Sequence, residues 1–285
     1  MTCGRGPGKG HEDEIDGVLE TDRTAEELGF DHVIASSHLP AGAAGGVTPD
    51  PVVLLSAVAG ATSRIGLVTS VLILPLYHPV VVAHRAATLD RLSGGRLTLG
   101  VGTGWDTAEF DAAGVPFAGR GRRADEQLEV VRALWRDEAE VRLGVRPRRP
   151  GGPPVWVGGH SDAALRRALR YGDAWHGFGT DAAELAEVRG RLAVLGEEAG
   201  RVPAIPLELT AGLALVPPGF EAAVRPPGRP LGGAEPSAER VREELGELAE
   251  TGLTACSLWL PVATEALPDA LGWVAQEVLS HFSKE

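Results

Sequence analysis

PLYHPVVVAHRAATLDRLSGGRLTLGVGTGW, residues 75 to 105, holds one complete helix-to-strand step, and its reading decides the fold. Pro79 stands where the first residue of a helix can lack its N–H at no cost, and Val80, Ala83, Ala87 and Leu92 then recur at roughly helical spacing. Gly94-Gly95 stops that helix. Leu97, Leu99 and Val101 follow as an apolar run of strand length. Gly100, Gly102 and Gly104 carry no side chains, so the carboxyl end of this strand can come close to something flat or anionic.

The same step repeats on both sides. DHVIAS (31 to 36) and RIGLVTSVLIL (64 to 74) read as strands, with a helix over about 50 to 61 between them. A helix over 124 to 135 leads to the strand PVWVGG (154 to 159), and DAWHGF (173 to 178), LELTAGLALV (207 to 216) and ACSLWLP (255 to 261) follow. Helices over 163 to 171, 181 to 200 and 237 to 251 separate these strands, and a last helix runs to about residue 282. Such alternation marks a parallel α/β sheet, with Val33, Leu67, Leu99, Val155 and Leu258 in strand interiors. Seven strands are visible rather than eight. Residues 1 to 12 are polar and glycine-rich and predict an irregular or disordered start, before a helix over 13 to 29. GRGPGKG there is no phosphate loop, since it lacks a preceding buried strand and a Ser or Thr after the Lys.

A chain of 285 residues with 44% hydrophobic content matches one α/β barrel, which typically takes about 250 residues, so 13 to 285 read as a single domain. The net charge of -12 argues against nucleic acid or an anionic membrane as partner, because both require a basic face. A small-molecule substrate fits better. Cys3 and Cys256 form no CxxC and no metal-ligand spacing, so neither a disulfide framework nor a metal site is expected. The amino terminus has no signal-peptide core and no stretch approaches 18 unbroken apolar residues, which predicts a cytoplasmic protein.

HPVVVAHRAATLDRLSGGRLTLGVGTGW (78 to 105) resembles the signature of the luciferase-like monooxygenase superfamily. The likeness resumes at Glu109-Phe110, GVPF (114 to 117), RGRR (120 to 123), Trp135, PPVWVGG (153 to 159) and GDAW (172 to 175), over roughly residues 25 to 200. It implies a TIM (β/α)8-type barrel that uses reduced FMN or the deazaflavin coenzyme F-420. LYHPVVVA and RGRRADEQLE most resemble the branch of F-420-dependent oxidoreductases. Two departures stand out. Relatives begin with a buried strand ahead of the first helix, and here it is missing or eroded; an open barrel exposes two edges, which lowers stability or favours a homodimer. Relatives also carry a longer segment where this chain has only residues 137 to 154, so the cover over the site is reduced.

Function in such a barrel sits at the carboxyl ends of the strands. His38 follows the first visible strand, where an imidazole could move a proton beside a redox ring; the other reading is a loop histidine bonded to backbone. The resemblance places Asp-His here, and Ser37 replaces the Asp, which removes a charged partner for His38. Thr69-Ser70-Val71 ends the second strand, and the resemblance implies a bulge with a non-prolyl cis peptide that supports the ring; an ordinary buried strand is the alternative. Gly102-Thr103-Gly104 offers N–H groups and a hydroxyl to the ring or ribityl chain and is not a Rossmann fingerprint. Gly158-Gly159-His160-Ser161 combines glycines, a hydroxyl and a helix N-terminus suited to a cofactor phosphate, or forms a simple strand-to-helix turn. Trp105 and His176 are expected to border the substrate. Asp106 and Glu109 are spaced as a capping box.

Three functions follow. The leading one is hydride transfer between coenzyme F-420 and a small organic substrate. The second is a two-component monooxygenase, supplied with reduced FMN by a separate reductase and using oxygen. The third is a non-catalytic paralogue or partner subunit.

Overall fold

Strand and helix alternate as the sequence predicts. The computed structural model describes residues 17–39, 49–200, 207–226 and 228–282. The expected irregular start at 1 to 12, and any strand within it, lie outside the described residues. Helix α1 (Val18–Glu27) leads to β1 (His32–Ala35), α2 (Pro51–Ala61) to β2 (Gly66–Thr69) and β3 (Leu72–Ile73), and α3 (Pro79–Leu92) to β4 (Leu97–Gly102). A short α4 (Thr107–Ala112) and α5 (Arg120–Trp135) precede β5 (Val155–Gly158), then α6 (Asp162–Tyr171), β6 (Ala174–Phe178) and α7 (Ala182–Glu198). Last come β7 (Glu208–Ala214), α8 (Ala238–Thr251), β8 (Leu253–Trp259) and α9 (Leu267–Val274), which runs on through a π-helical turn, Ala275–Leu279.

All strand pairs are parallel, in the order β1-β2-β4-β5-β6-β7-β8, with β3 on β4. Alternation along each strand sorts side chains to two faces. Val33, Ala35, Leu67, Leu99 and Val157 join Leu55, Ala83, Leu128 and Leu165 of the helices in the main core. Ile34, Val68, Trp156 and Ala174 form a second cluster on the inner face. This is a TIM-type arrangement with helices outside and side chains filling the interior. Among the described residues β1 and β8 share no backbone pairing; a side-chain bond of 3.0 Å from His32 Nε2 to Ser257 Oγ links them instead.

The apolar run 64 to 74 is not one strand. It breaks at a cis peptide bond between Ser70 and Val71. Val68 pairs with Thr98 and Leu72 with Val101, so four steps along β2 and β3 oppose three along β4. One extra residue is therefore extruded as a bulge, which bends the strand and re-aims its side chains. Its neighbours are glycines. A Cβ on Gly100 would run into Thr69 O, one on Gly102 would lie 2.6 Å from Val71 Cγ2, and one on Gly158 3.2 Å from Val71 Cγ1. The close approach expected at the end of β4 is thus made first by the chain's own bulge.

Gly100→Ala should accordingly lower stability by roughly 2 kcal/mol or more, through overpacking against backbone. Gly60→Ala, in α2 where an added Cβ meets nothing within 4 Å, should leave it unchanged or raise it by up to about 1 kcal/mol. Urea midpoints of the two variants check this, and equal effects would contradict it.

Candidate active site

Ser70 and Val71 sit half-buried at the carboxyl end of the sheet, above β4 and β5. Beneath them the inner face holds a polar chain. Ser70 Oγ contacts His176 Nε2 at 2.8 Å, His176 Nδ1 contacts Thr210 Oγ1 at 2.9 Å, and Thr210 Oγ1 donates to Trp175 O at 3.0 Å. Trp156 stacks on the imidazole with ring centres 5.3 Å apart. Burial pushes the His176 pKa down to about 4, so the ring is neutral at physiological pH. His176, expected beside the substrate, lies in mid-strand and is 5% exposed, where the inward-facing position on β6 carries it into the barrel.

A second cluster joins the segment after β1 to α4. The His38 side chain is 26% exposed, and its Nδ1 lies 3.2 Å from Oε1 of Glu109, which is fully buried. The same Oε1 accepts the Leu39 N–H at 2.6 Å, while Oε2 has no hydrogen-bond partner among the described residues. Trp105 is 62% exposed, with its ring 6.3 Å from that of His38. The capping-box reading is half corrected. Asp106 does accept the Ala108 N–H, at 2.9 Å, but Glu109 reaches across to the loop after β1. It supplies the acidic partner that Ser37 cannot, since the Ser37 hydroxyl is buried 3.5 Å from Tyr77 OH.

Other candidates divide. Thr69 is buried and its hydroxyl donates to Gly100 O at 2.7 Å, so that side chain is committed to β4. Gly102, Thr103 and Gly104 are half-buried. Gly104 turns at φ +73 against Ile73 and Phe110, and its carbonyl accepts from Arg120 Nε at 3.0 Å. Gly158 lies under Val71. Gly159, at φ +119, receives the Trp175 indole N–H on its carbonyl at 2.7 Å. Ser161 caps α6 through Ala164 N, and His160 is exposed with its Nε2 3.4 Å from Phe178 N.

Sequence reasoning missed Glu109, Thr210 and Arg191. Arg191 on α7 donates to His160 O at 2.9 Å and to Asp162 Oδ1 at 2.6 Å, which sets a guanidinium beside the proposed phosphate turn. Its only signal is a lone arginine on a helix face, 30 residues downstream of the turn it serves.

Comparison with known proteins agrees with this architecture. The family model described as luciferase-like monooxygenase matches residues 1–225. 4-Hydroxyprotoasukamycin monooxygenase of Streptomyces nodosus subsp. asukaensis is 35% identical over 174 residues, covering 56% of this chain and 46% of its own. F420-dependent glucose-6-phosphate dehydrogenase of Beutenbergia cavernae is 39% identical over 165 residues, covering 53% and 49%. The chain spans about half the length of the curated relatives it matches. The crystal structure of monooxygenase RslO1 from Streptomyces bottropensis superposes with a TM-score of 0.80 at 21% identity, covering 99% of this chain and all of that one. Among the described residues no helix is long and apolar enough to cross a membrane.

The buried neutral His176 makes stability depend on pH. Its pKa is about 4 in the fold and about 6.5 when unfolded, so the unfolded chain binds the extra proton between those values. The contribution is complete above pH ~6.5 and falls away as pH drops through 4, by about 3 kcal/mol. His176→Gln has no such proton to take up. Its urea midpoint should fall less steeply across that window than that of the wild type, and parallel curves would contradict a buried neutral ring.

Proposed function

The chain belongs to the luciferase-like monooxygenase family, and on that premise we propose that it is a cytoplasmic oxidoreductase moving a hydride between coenzyme F-420 and a small organic substrate. The observation that carries the reading is the Ser70-Val71 bulge across Gly102 and Gly158, with the His38–Glu109 pair at its rim. The residues present fit an isoalloxazine-type group. Val71 offers a branched apolar face, Ser70 and Thr103 offer hydroxyls, and Gly159 to Ser161 offer a helix terminus for a phosphate, with the Arg191 guanidinium beside it held by Asp162. When bound, the deazaflavin supplies the hydride chemistry.

The protein's own part is positioning and proton handling. Glu109 Oε1 already accepts the Leu39 N–H, and its 3.2 Å contact with His38 is read with the imidazole Nδ1–H donating to the same oxygen. Nε2 is then the atom left to take up or release a proton, on the half-exposed side of the ring. Glu109 itself is anchored by the Leu39 N–H, which ties the loop after β1 to α4. Trp105 forms the exposed wall beside that imidazole and bounds the substrate.

F-420 leads because the chain's wording resembles the F-420 branch and a 39% identical relative is named an F420-dependent dehydrogenase. Reduced FMN with oxygen is the second reading, supported by the 35% identical relative named a monooxygenase.

Anaerobic titration of the purified protein with F-420 and with FMN tests the proposal. Saturable binding of F-420, tighter than that of FMN, is expected. Absence of binding to either by folded protein up to about 1 mM would favour the non-catalytic paralogue instead. His38→Ala should lower turnover by roughly 10²–10⁴ with cofactor affinity nearly unchanged. Gly159→Asp should weaken cofactor binding by about tenfold or more, because it adds a second carboxylate, after Asp162, beside the phosphate and strains a residue at positive φ.

A further inference from the structure

Two exposed aromatic rings stand at the carboxyl edge of the sheet. Among the described residues Trp105, Phe178 and Phe282 are the exposed Trp and Phe side chains, at 62%, 50% and 44%, and the other large apolar side chains so exposed are aliphatic. Phe282 ends the last helix, whereas Trp105 follows β4 and Phe178 ends β6. A third ring joins them: Trp259 ends β8, is half-buried and packs in neither apolar cluster. Inward positions on β6 and β8 are fixed by His176 and by Ser257, which bonds His32 inside the barrel, and two residues further on Phe178 and Trp259 face the same way. Register places β7 between them, since Phe178 pairs with Gly212 and Trp259 with Ala214. Gly212 takes no positive φ; the ring is what demands glycine there, because a Cβ would lie 2.9 Å from Phe178 Cδ2. The middle strand thus offers only a hydrogen and a methyl inward, between two rings carried by strands about 10 Å apart.

The sheet order divides the carboxyl edge. The Ser70-Val71 bulge overlies Gly102 and Gly158, on β4 and β5, whereas β6, β7 and β8 lie beyond β5, and β1, with His38 after it, comes next around the barrel. We propose that this second half is the substrate's subsite and takes a planar aromatic ring, held by Phe178 and Trp259 over Gly212 and Ala214. A planar ring presents a π face to both side chains, where offset or edge-to-face contact adds to the gain from buried area; a puckered saturated ring of equal size gains the area alone. Large aromatic side chains kept out of the core at neighbouring strand ends are what such a ligand requires. The inference rests on the cofactor reading of the previous section, which gives the other half of the edge to the deazaflavin or flavin. Phe178 and Trp259 touch the substrate and set which ring is accepted, and neither handles a proton or a hydride.

The test uses 2-naphthol and decahydro-2-naphthol as probes, which share a fused two-ring carbon frame and one hydroxyl and differ in aromaticity, titrated calorimetrically into the full-length protein without cofactor. The wild type should bind 2-naphthol at least about fivefold more tightly, although the saturated alcohol is the more hydrophobic of the two. Phe178→Leu and Trp259→Leu keep apolar bulk and remove the ring; each should weaken 2-naphthol by roughly 2- to 10-fold and leave decahydro-2-naphthol within about twofold. Phe178→Tyr should keep the preference, and Phe282→Leu, on the last helix, should change neither affinity. Where Trp259→Leu fails to fold, Phe178→Leu at its exposed position still decides. Equal affinity of the wild type for the two alcohols, binding of neither, or a preference that survives undiminished in the leucine variants overturns the proposal. FMN titrated into the same variants separates it from the cofactor reading. Affinity for FMN unchanged within about twofold is expected, and a loss that parallels the loss of 2-naphthol overturns the subsite by giving both rings to the cofactor. Absence of FMN and F-420 binding by folded protein, with the preference for 2-naphthol intact, sinks the cofactor reading and leaves the aromatic site standing.

Discussion

One extra residue between β2 and β3 is the constraint on which the rest of the site depends. A parallel strand that carries four steps against three must extrude chain on one side, and here it does so at Ser70 and Val71. The extrusion is tolerated because β4 and β5 present glycines at the points of closest approach, Gly100, Gly102 and Gly158. Val71 is thereby lifted over the carboxyl edge of the sheet while Ser70 turns its hydroxyl into the barrel. Sequence composition, backbone register and site geometry meet at these few residues.

Below the bulge, the interior is polar to an extent that a purely structural barrel core does not need. His176, Thr210 and Trp156 sit on the inner face of neighbouring strands, and His32 and Ser257 join β1 to β8 where no backbone ladder does so among the described residues. Burying such groups is stabilising only when each hydrogen bond is made. The chain from Ser70 to Trp175 O meets that condition with one assignment of protons, which gives the interior a fixed polarity. At the rim the arrangement is looser: Glu109 is fully buried and anchored by backbone, and His38 is held on its outer side.

Much of this was legible in the sequence. The seven apolar runs bounded by glycine or polar turns mark the strand positions, and the strand-end triplets mark the carboxyl edge of the sheet, where the site is proposed. The split of RIGLVTSVLIL was hidden, because an apolar run carries no mark of where its register slips by one. A glycine announces that space is needed and not what fills it; hence Gly100 and Gly102 read as room for a ligand, although Thr69 and Val71 occupy it. Glu109 reads as a capping residue from its spacing to Asp106, and nothing local shows that its carboxylate crosses to Leu39, 70 residues earlier in the chain. Long-range partners such as Thr210 and Arg191 were hidden for the same reason, since pairing across a barrel leaves no short-range pattern.

The proposed cofactor site has the Ser70-Val71 bulge, held by its glycines, as its floor. Crystals of the protein grown with saturating F-420, and others grown with FMN, put this to the test. Ring density is expected against Val71, within hydrogen-bond reach of Ser70 and beside His38, with the phosphate toward Ser161 and Arg191. Ring density lodged elsewhere, for instance in the acidic cleft between Asp181, Arg229 and Glu243, with the bulge bare, would contradict it.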